Sequence, residues 1–206
     1  MITSLPNALT IFRIICIPVL VGLFFIDRPW APWTAGGIFV IAAVTDFFDG
    51  YLARKMEVVS LLGKLLDPIA DKLLVAATLL TLIAFDRITG LTFLAALAIL
   101  LREILISGLR EFLAGMNAPG LPVSNLAKWK TGIQMTALGM LIVGDSAPGW
   151  WQVDPVGMLL LWIAAVLTMV TGWTYLQAGL SQAMHPQSPP PASTRDQSTN
   201  RASSVG

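Results

Sequence analysis

Apolar residues run along this chain in six long blocks, roughly 8–26, 33–54, 65–85, 90–113, 126–144 and 156–182, each cut from the next by a short polar stretch. A helix needs roughly 20 mostly apolar residues to cross a bilayer, and every block is close to that length. The pattern therefore predicts an all-α integral membrane protein with six transmembrane helices. The interruptions suit turns: Asp27-Arg28-Pro29, Asp86-Arg87, Asn117-Ala118-Pro119-Gly120 and Asp145-Ser146-Ala147-Pro148-Gly149 combine helix-stopping proline and glycine with charge. Residues 1–184 read as one membrane domain. From His185 the chain turns to Pro, Ser, Thr, Gln and Asn. Such a stretch cannot bury enough apolar surface to fold, so 185–206 is expected to be a disordered cytoplasmic tail.

Charge fixes the expected orientation. With the N-terminus in the cytoplasm, that side receives Arg13, Arg54, Lys55, Lys64, Lys72, Arg102, Arg110, Lys128, Lys130, Arg195 and Arg201, and the other side keeps Arg28 and Arg87. The opposite orientation inverts this positive-inside bias. Both termini are thus expected in the cytoplasm, with Trp30, Trp33, Trp150 and Trp151 as an aromatic belt at the far face.

Composition agrees with a membrane solvent. The chain is 55% hydrophobic and 12% charged, against about 25% charged in a soluble domain, and its mean hydropathy is +0.74. A net charge of +1 gives no footprint for nucleic acid. The single cysteine, Cys16, reads as a small buried hydrophobe. The start of the chain has no Lys or Arg ahead of its first apolar block, so that block reads as a retained helix and not a cleaved signal.

The candidate chemistry lies where the second block meets the third. Asp46, Asp49, Gly50, Ala53 and Arg54 are followed, after eight residues, by Gly63, Asp67 and Asp71. An aspartate at the centre of a membrane helix costs about 2.5–3.5 kcal/mol, so four within 26 residues need a reason. Asp46, Asp49, Gly50 and Ala53 stand at i, i+3, i+4 and i+7 and share one helix face. Asp67 and Asp71 share a face of the next helix. In an antiparallel pair the four carboxylates converge, and cations must then sit among them. All-oxygen ligation suits Mg²⁺ or Mn²⁺, and two ions about 4 Å apart suit displacement at phosphorus. Gly50 and Ala53 leave room for a ligand, and Arg54 can neutralise a phosphate. Taken singly, the residues have plainer readings: Asp67 before Pro68 suits a helix N-cap, and Asp46 and Asp49 could pair with Arg54 or Lys55. Those readings leave the joint geometry unexplained.

The spacing Asp46-x2-Asp49-Gly50-x2-Ala53-Arg54-x8-Gly63-x3-Asp67-x3-Asp71 resembles the signature of the CDP-alcohol phosphotransferases at all eight positions. The resemblance implies that family's six-helix fold, a homodimer, and an active site open to the cytoplasm of a bacterial inner membrane. It implies two divalent ions, Mg²⁺ or Mn²⁺, on Asp46, Asp49, Asp67 and Asp71, with Asp71 also the general base. It implies that Gly50, Arg54 and Ser60 contact the CDP part of a CDP-diacylglycerol donor, with Asn7 and Arg13 lining the same pocket. Three further stretches, Pro6 to Arg13, Leu101 to Glu111 and Lys128 to Gln134, are similar to the phosphatidylglycerophosphate synthase branch. That branch implies sn-glycerol 3-phosphate as acceptor, phosphatidylglycerophosphate and CMP as products, and Arg110, Lys128, Lys130 and Arg102 as candidates for the acceptor phosphate. Each of these four cations could instead be an ordinary cytoplasmic anchor.

Other readings are distinguishable. Cardiolipin synthase and phosphatidylinositol-phosphate synthase share the aspartate motif and differ in acceptor. Membrane prenyltransferases place two acidic motifs far apart in a longer chain. A cation-coupled transporter would show repeats or broken midplane helices, and would not release CMP.

Overall fold

The computed structural model describes residues 5–56, 61–115 and 125–184. Within them the chain forms α1 (Leu5–Leu23), α2 (Ala31–Met56), α3 (Leu61–Ala84), α4 (Thr92–Gly115), α5 (Asn125–Val143) and α6 (Val153–Met184), with two short 3-10 turns at Gly144–Ser146 and Gly149–Trp151. No strand occurs among the described residues. The chain is all-helical, and the helices fall on the six apolar blocks. Residues 57–60, 116–124 and the expected tail from His185 lie outside the described residues.

The largest departure from expectation is the start of α3. Apolar patterning puts it at 65, with Asp67 as a possible cap, but the helix begins at Leu61 and runs through Pro68. Asp67 is therefore not an N-cap. Leu61, Leu62, Leu65 and Leu66 are good helix formers, and α3 continues through Pro68 despite the lost backbone bond and the ring's crowding of the carbonyl four residues back.

Helix α1 packs against both α2 and α3, α6 packs along both α4 and α5, and the α2–α5 contact joins the two groups. Leu20, Phe39, Leu79, Ile99, Leu138 and Leu161 form part of the shared apolar core, and Cys16 is buried in it. Close approach of α4 and α6 depends on glycine. A Cβ at Gly172 would lie 2.9 Å from Arg102 Cγ, and one at Gly179 would lie 2.6 Å from Leu109 Cδ2. Small residues of this kind let helix backbones meet without a hydrophobic driving force.

Polarity is distributed inside out. Thr10, Arg13, Thr78, Lys130, Gln134 and Thr168 are buried, whereas Ile15, Val40, Leu80, Leu101, Leu159 and Val166 are exposed. Several threonines meet the demand of an apolar surround by donating to the carbonyl one turn back, including Thr45 to Ile41 (2.7 Å), Thr81 to Ala77 (2.7 Å) and Thr171 to Leu167 (2.8 Å). Two helical segments, Thr92–Gly115 and Gly149–Gln182, are long and apolar enough to cross a membrane.

One end of the bundle carries a cluster of tryptophans. Trp33 meets Trp151 edge to face at 6.0 Å, and Trp150 meets Trp151 at 5.6 Å. Trp33 Nε1 donates to the Ser146 carbonyl at 3.3 Å, tying α2 to the α5–α6 turn. Arg87 pairs with Asp145 at 2.6 Å at this same end. Gly144, at φ +46°, makes that pair possible, because a Cβ there would collide with the Arg87 guanidinium.

Candidate functional site

The opposite end carries the motif. Helix α2 runs unbroken through Asp46, Asp49, Gly50, Ala53 and Arg54, and α3 through Gly63, Asp67 and Asp71. The shared-face spacing therefore stands on helical backbone in both elements. The side chains of Asn7, Asp49, Gly50, Arg54, Asp67 and Lys128 lie outside the described residues, as does the whole of Ser60.

Arg13 is the most buried charge at this end. Its side chain is 0% exposed, and its guanidinium pairs with Asp46 at 2.6 Å; the Asp46 side chain is 42% exposed. The pair joins α1 to α2. The side chains of Arg54 and Lys55, the partners expected for Asp46, lie outside the described residues. Asp71 of α3 lies within electrostatic reach of Asp46, Arg13, Lys72 and Glu103, so side chains from four helices act on one carboxylate. Lys72 itself donates to the Pro68 carbonyl at 3.1 Å.

A second polar group adjoins the first. Glu103 Oε1 accepts from Lys130 Nζ of α5 and from Arg102 Nη1, the latter at 3.1 Å. Arg102 Nη2 reaches Thr171 Oγ1 of α6 at 3.3 Å. The guanidiniums of Arg102 and Arg110 lie 5.8 Å and 5.4 Å from the centre of the Tyr175 ring, within cation–π range. The Lys130 side chain is 5% exposed and that of Arg102 11%. The charge of Asp71 acts on Lys130, so the acidic and basic groups form one connected site.

Three of the four cations expected to meet an acceptor phosphate, Arg102, Arg110 and Lys130, are thus brought together around Glu103 and Tyr175. Glu103, Thr171 and Tyr175 were not singled out from sequence. A signal for Glu103 exists: a carboxylate inside an apolar helix is costly and implies a partner. Nothing comparable marks Thr171 or Tyr175. An apolar groove of about 370 Å³ between α4 and α6 is lined by the Arg102 side chain, Leu105, Met169 and Trp173. A further cavity, of about 650 Å³, lies at the aromatic end beside Arg28, Phe85 and Arg87, away from Asp46 and Asp71.

The donor set fits a hard divalent cation. Asp46 and Asp71 bring carboxylate oxygens from two helices that both pack on α1 into mutual electrostatic range, and oxygen ligands are what Mg²⁺ and Mn²⁺ take. No three His, Cys, Asp or Glu side chains gather into a metal-binding group among the described residues. The side chains of Asp49 and Asp67, which would complete the set, fall outside that description.

Comparison with known proteins gives the same direction. Residues 3–170 match the family model for CDP-alcohol phosphatidyltransferase. A relative from Rickettsia typhi, a CDP-diacylglycerol–glycerol-3-phosphate 3-phosphatidyltransferase, is 49% identical over 175 residues, covering 85% of this chain and 96% of the relative. One of the same name from Cereibacter sphaeroides is 39% identical over 212 residues, covering 86% and 96%. A cardiolipin synthase (CMP-forming) from Oryza sativa subsp. japonica is 41% identical over 187 residues, covering 84% of this chain and 56% of the relative. With its aspartate spacing carried on two successive helices and a match spanning most of its length, this chain belongs to the CDP-alcohol phosphatidyltransferase family.

Proposed function

We propose that this protein transfers a phosphatidyl group from CDP-diacylglycerol to sn-glycerol 3-phosphate, giving phosphatidylglycerophosphate and CMP. The observation that carries the reading is the union, at one end of the bundle, of the motif carboxylates Asp46 and Asp71 with the basic group Arg102, Arg110 and Lys130. Carboxylates alone suit any member of the family. The adjoining cations suit an acceptor that is itself a phosphate dianion, since arginine offers paired donors and lysine a point charge. Arg102 Nε is buried without a hydrogen-bond partner among the described residues, a donor available to such a ligand.

In the proposed reaction the acceptor hydroxyl attacks the phosphatidyl phosphorus, the bond to CMP breaks, and the hydroxyl proton passes to Asp71. Asp46, Asp49, Asp67 and Asp71 would hold two divalent ions, Mg²⁺ or Mn²⁺. Bound there, such ions would neutralise the diphosphate and the departing CMP. Gly50, Arg54 and Ser60 would meet the CDP part of the donor. A carboxylate beside cations is a weak base, so proton transfer comes late, as the forming bond acidifies the hydroxyl. Arg13, fixed on Asp46, would orient that ligand more than touch the nucleotide.

The inside-out polarity of the bundle supports a membrane solvent, with six transmembrane helices, residues 1–184 as the catalytic domain and the tail 185–206 in the cytoplasm. The excess of basic residues at the catalytic end supports a cytoplasmic site, both termini on that side, in the bacterial inner membrane. The reading carries with it the homodimer that the family resemblance implies.

The acceptor assignment is tested by Arg110→Ala. Loss of one charge-assisted contact to phosphate should raise the KM for glycerol 3-phosphate about tenfold or more, with the KM for CDP-diacylglycerol changed less than about twofold. A rise confined to the donor KM would contradict it. Label from glycerol 3-phosphate should also enter the lipid phase in step with CMP release.

A further inference from the structure

Helix α4 supplies Arg102 and Arg110, and α5 supplies Lys130. These two helices each pack along α6, but extensive backbone contact between them is absent among the described residues. The Glu103 carboxylate bridges them. A single oxygen, Oε1, takes a bond from Lys130 of α5 and one from Arg102 of α4. Arg102 then extends to Thr171 of α6, so the bridge is anchored on all three helices. Without Glu103, two nearly buried cations would face one another across the gap. Like charges at low exposure repel strongly, and Lys130 and Arg102 are close enough for their charges to interact.

We propose that Glu103 is a positioning residue for the acceptor: by holding Lys130 and Arg102 on one carboxylate oxygen, it sets the spacing of the cations that receive the acceptor's phosphate. The inference rests on the acceptor reading given above. Glu103 does not touch the reacting atoms. It keeps the α4 and α5 cations at a separation that one phosphate group spans, and it offsets their repulsion while the site is empty. The arriving dianion then meets an ordered pair in place of two cations driven apart. Such ordering acts on acceptor binding and leaves the donor's contacts on α2 and α3 unchanged.

The test compares Glu103→Gln and Glu103→Asp with the unaltered full-length protein, assaying CMP release with both substrates varied. Glu103→Gln loses the charge and should raise the KM for glycerol 3-phosphate about tenfold, with the donor KM within about twofold. Glu103→Asp keeps the charge with a shorter reach and should fall between, restoring part of the loss. If Glu103→Gln fails to fold, the aspartate variant carries the test alone: an acceptor-selective KM rise supports the proposal, and an unchanged acceptor KM overturns it. Equal movement of both KM values, or a fall in kcat with both KM values unchanged, also overturns it. Failure of the underlying acceptor reading looks different, because the unaltered protein would then release no CMP with glycerol 3-phosphate.

Discussion

Replacing Asp71 by asparagine is expected to lower acceptor-dependent CMP release about a thousandfold, the scale of a lost general base, while the protein remains folded. The substitution keeps the shape of the side chain and removes its charge. Asp71 stands in the first half of α3, within electrostatic reach of Asp46, Arg13, Lys72 and Glu103. It interacts both with Asp46 on the acidic side of the site and with Lys130 on the basic side. In the proposed reaction Asp71 is the base that takes the proton of the acceptor hydroxyl. The check is kcat for the purified variant beside its thermal unfolding curve. A loss smaller than about tenfold with normal unfolding would move the base to another residue.

Arg13→Ala should destabilise the folded protein by about 1–2 kcal/mol, the scale of losing an enclosed side chain whose ion-pair partner is partly screened by solvent. Arg13 is completely enclosed, and its guanidinium meets Asp46 at 2.6 Å. Alanine would leave a space beside α1 and remove the Arg13 charge from Asp46. Asp46 is itself a proposed metal ligand, so the variant should also need more divalent cation for half-maximal activity. Thermal unfolding in detergent with the metal titrated reads both effects. A change below about 0.5 kcal/mol, as for an exposed pair, together with an unaltered metal requirement, would reduce Arg13 to an ordinary cytoplasmic anchor.

The parts of this site that were legible in the sequence are those set by local helical geometry. Asp46, Asp49, Gly50 and Ala53 share a face because 3.6 residues make a turn, and α2 runs through all of them. The six blocks were legible because each is a long apolar run bounded by proline, glycine or charge, and a helix falls on each. What was not legible depends on contacts between distant segments. A partner of Asp46 was sought nearby in Arg54 or Lys55, and the one the described residues show, Arg13, lies on α1. Lys130 was read as a phosphate cation, and its bond to Glu103 crosses 27 positions of sequence. Tyr175, between two guanidiniums, sits in an apolar helix where an aromatic residue carries no special signal. The Asp67-Pro68 pair misled for a local reason: a proline that usually opens a helix is here carried inside α3 by the leucines before it.

The most direct test of the account is acceptor-dependent CMP release by the purified full-length protein. CDP-diacylglycerol is supplied with Mg²⁺, and glycerol 3-phosphate, phosphatidylglycerol and inositol phosphate are offered separately, each with and without a chelator. The account predicts release with glycerol 3-phosphate alone, lost on chelation and restored by added Mg²⁺ or Mn²⁺. Release with phosphatidylglycerol or inositol phosphate in its place, or release that survives chelation, would contradict it.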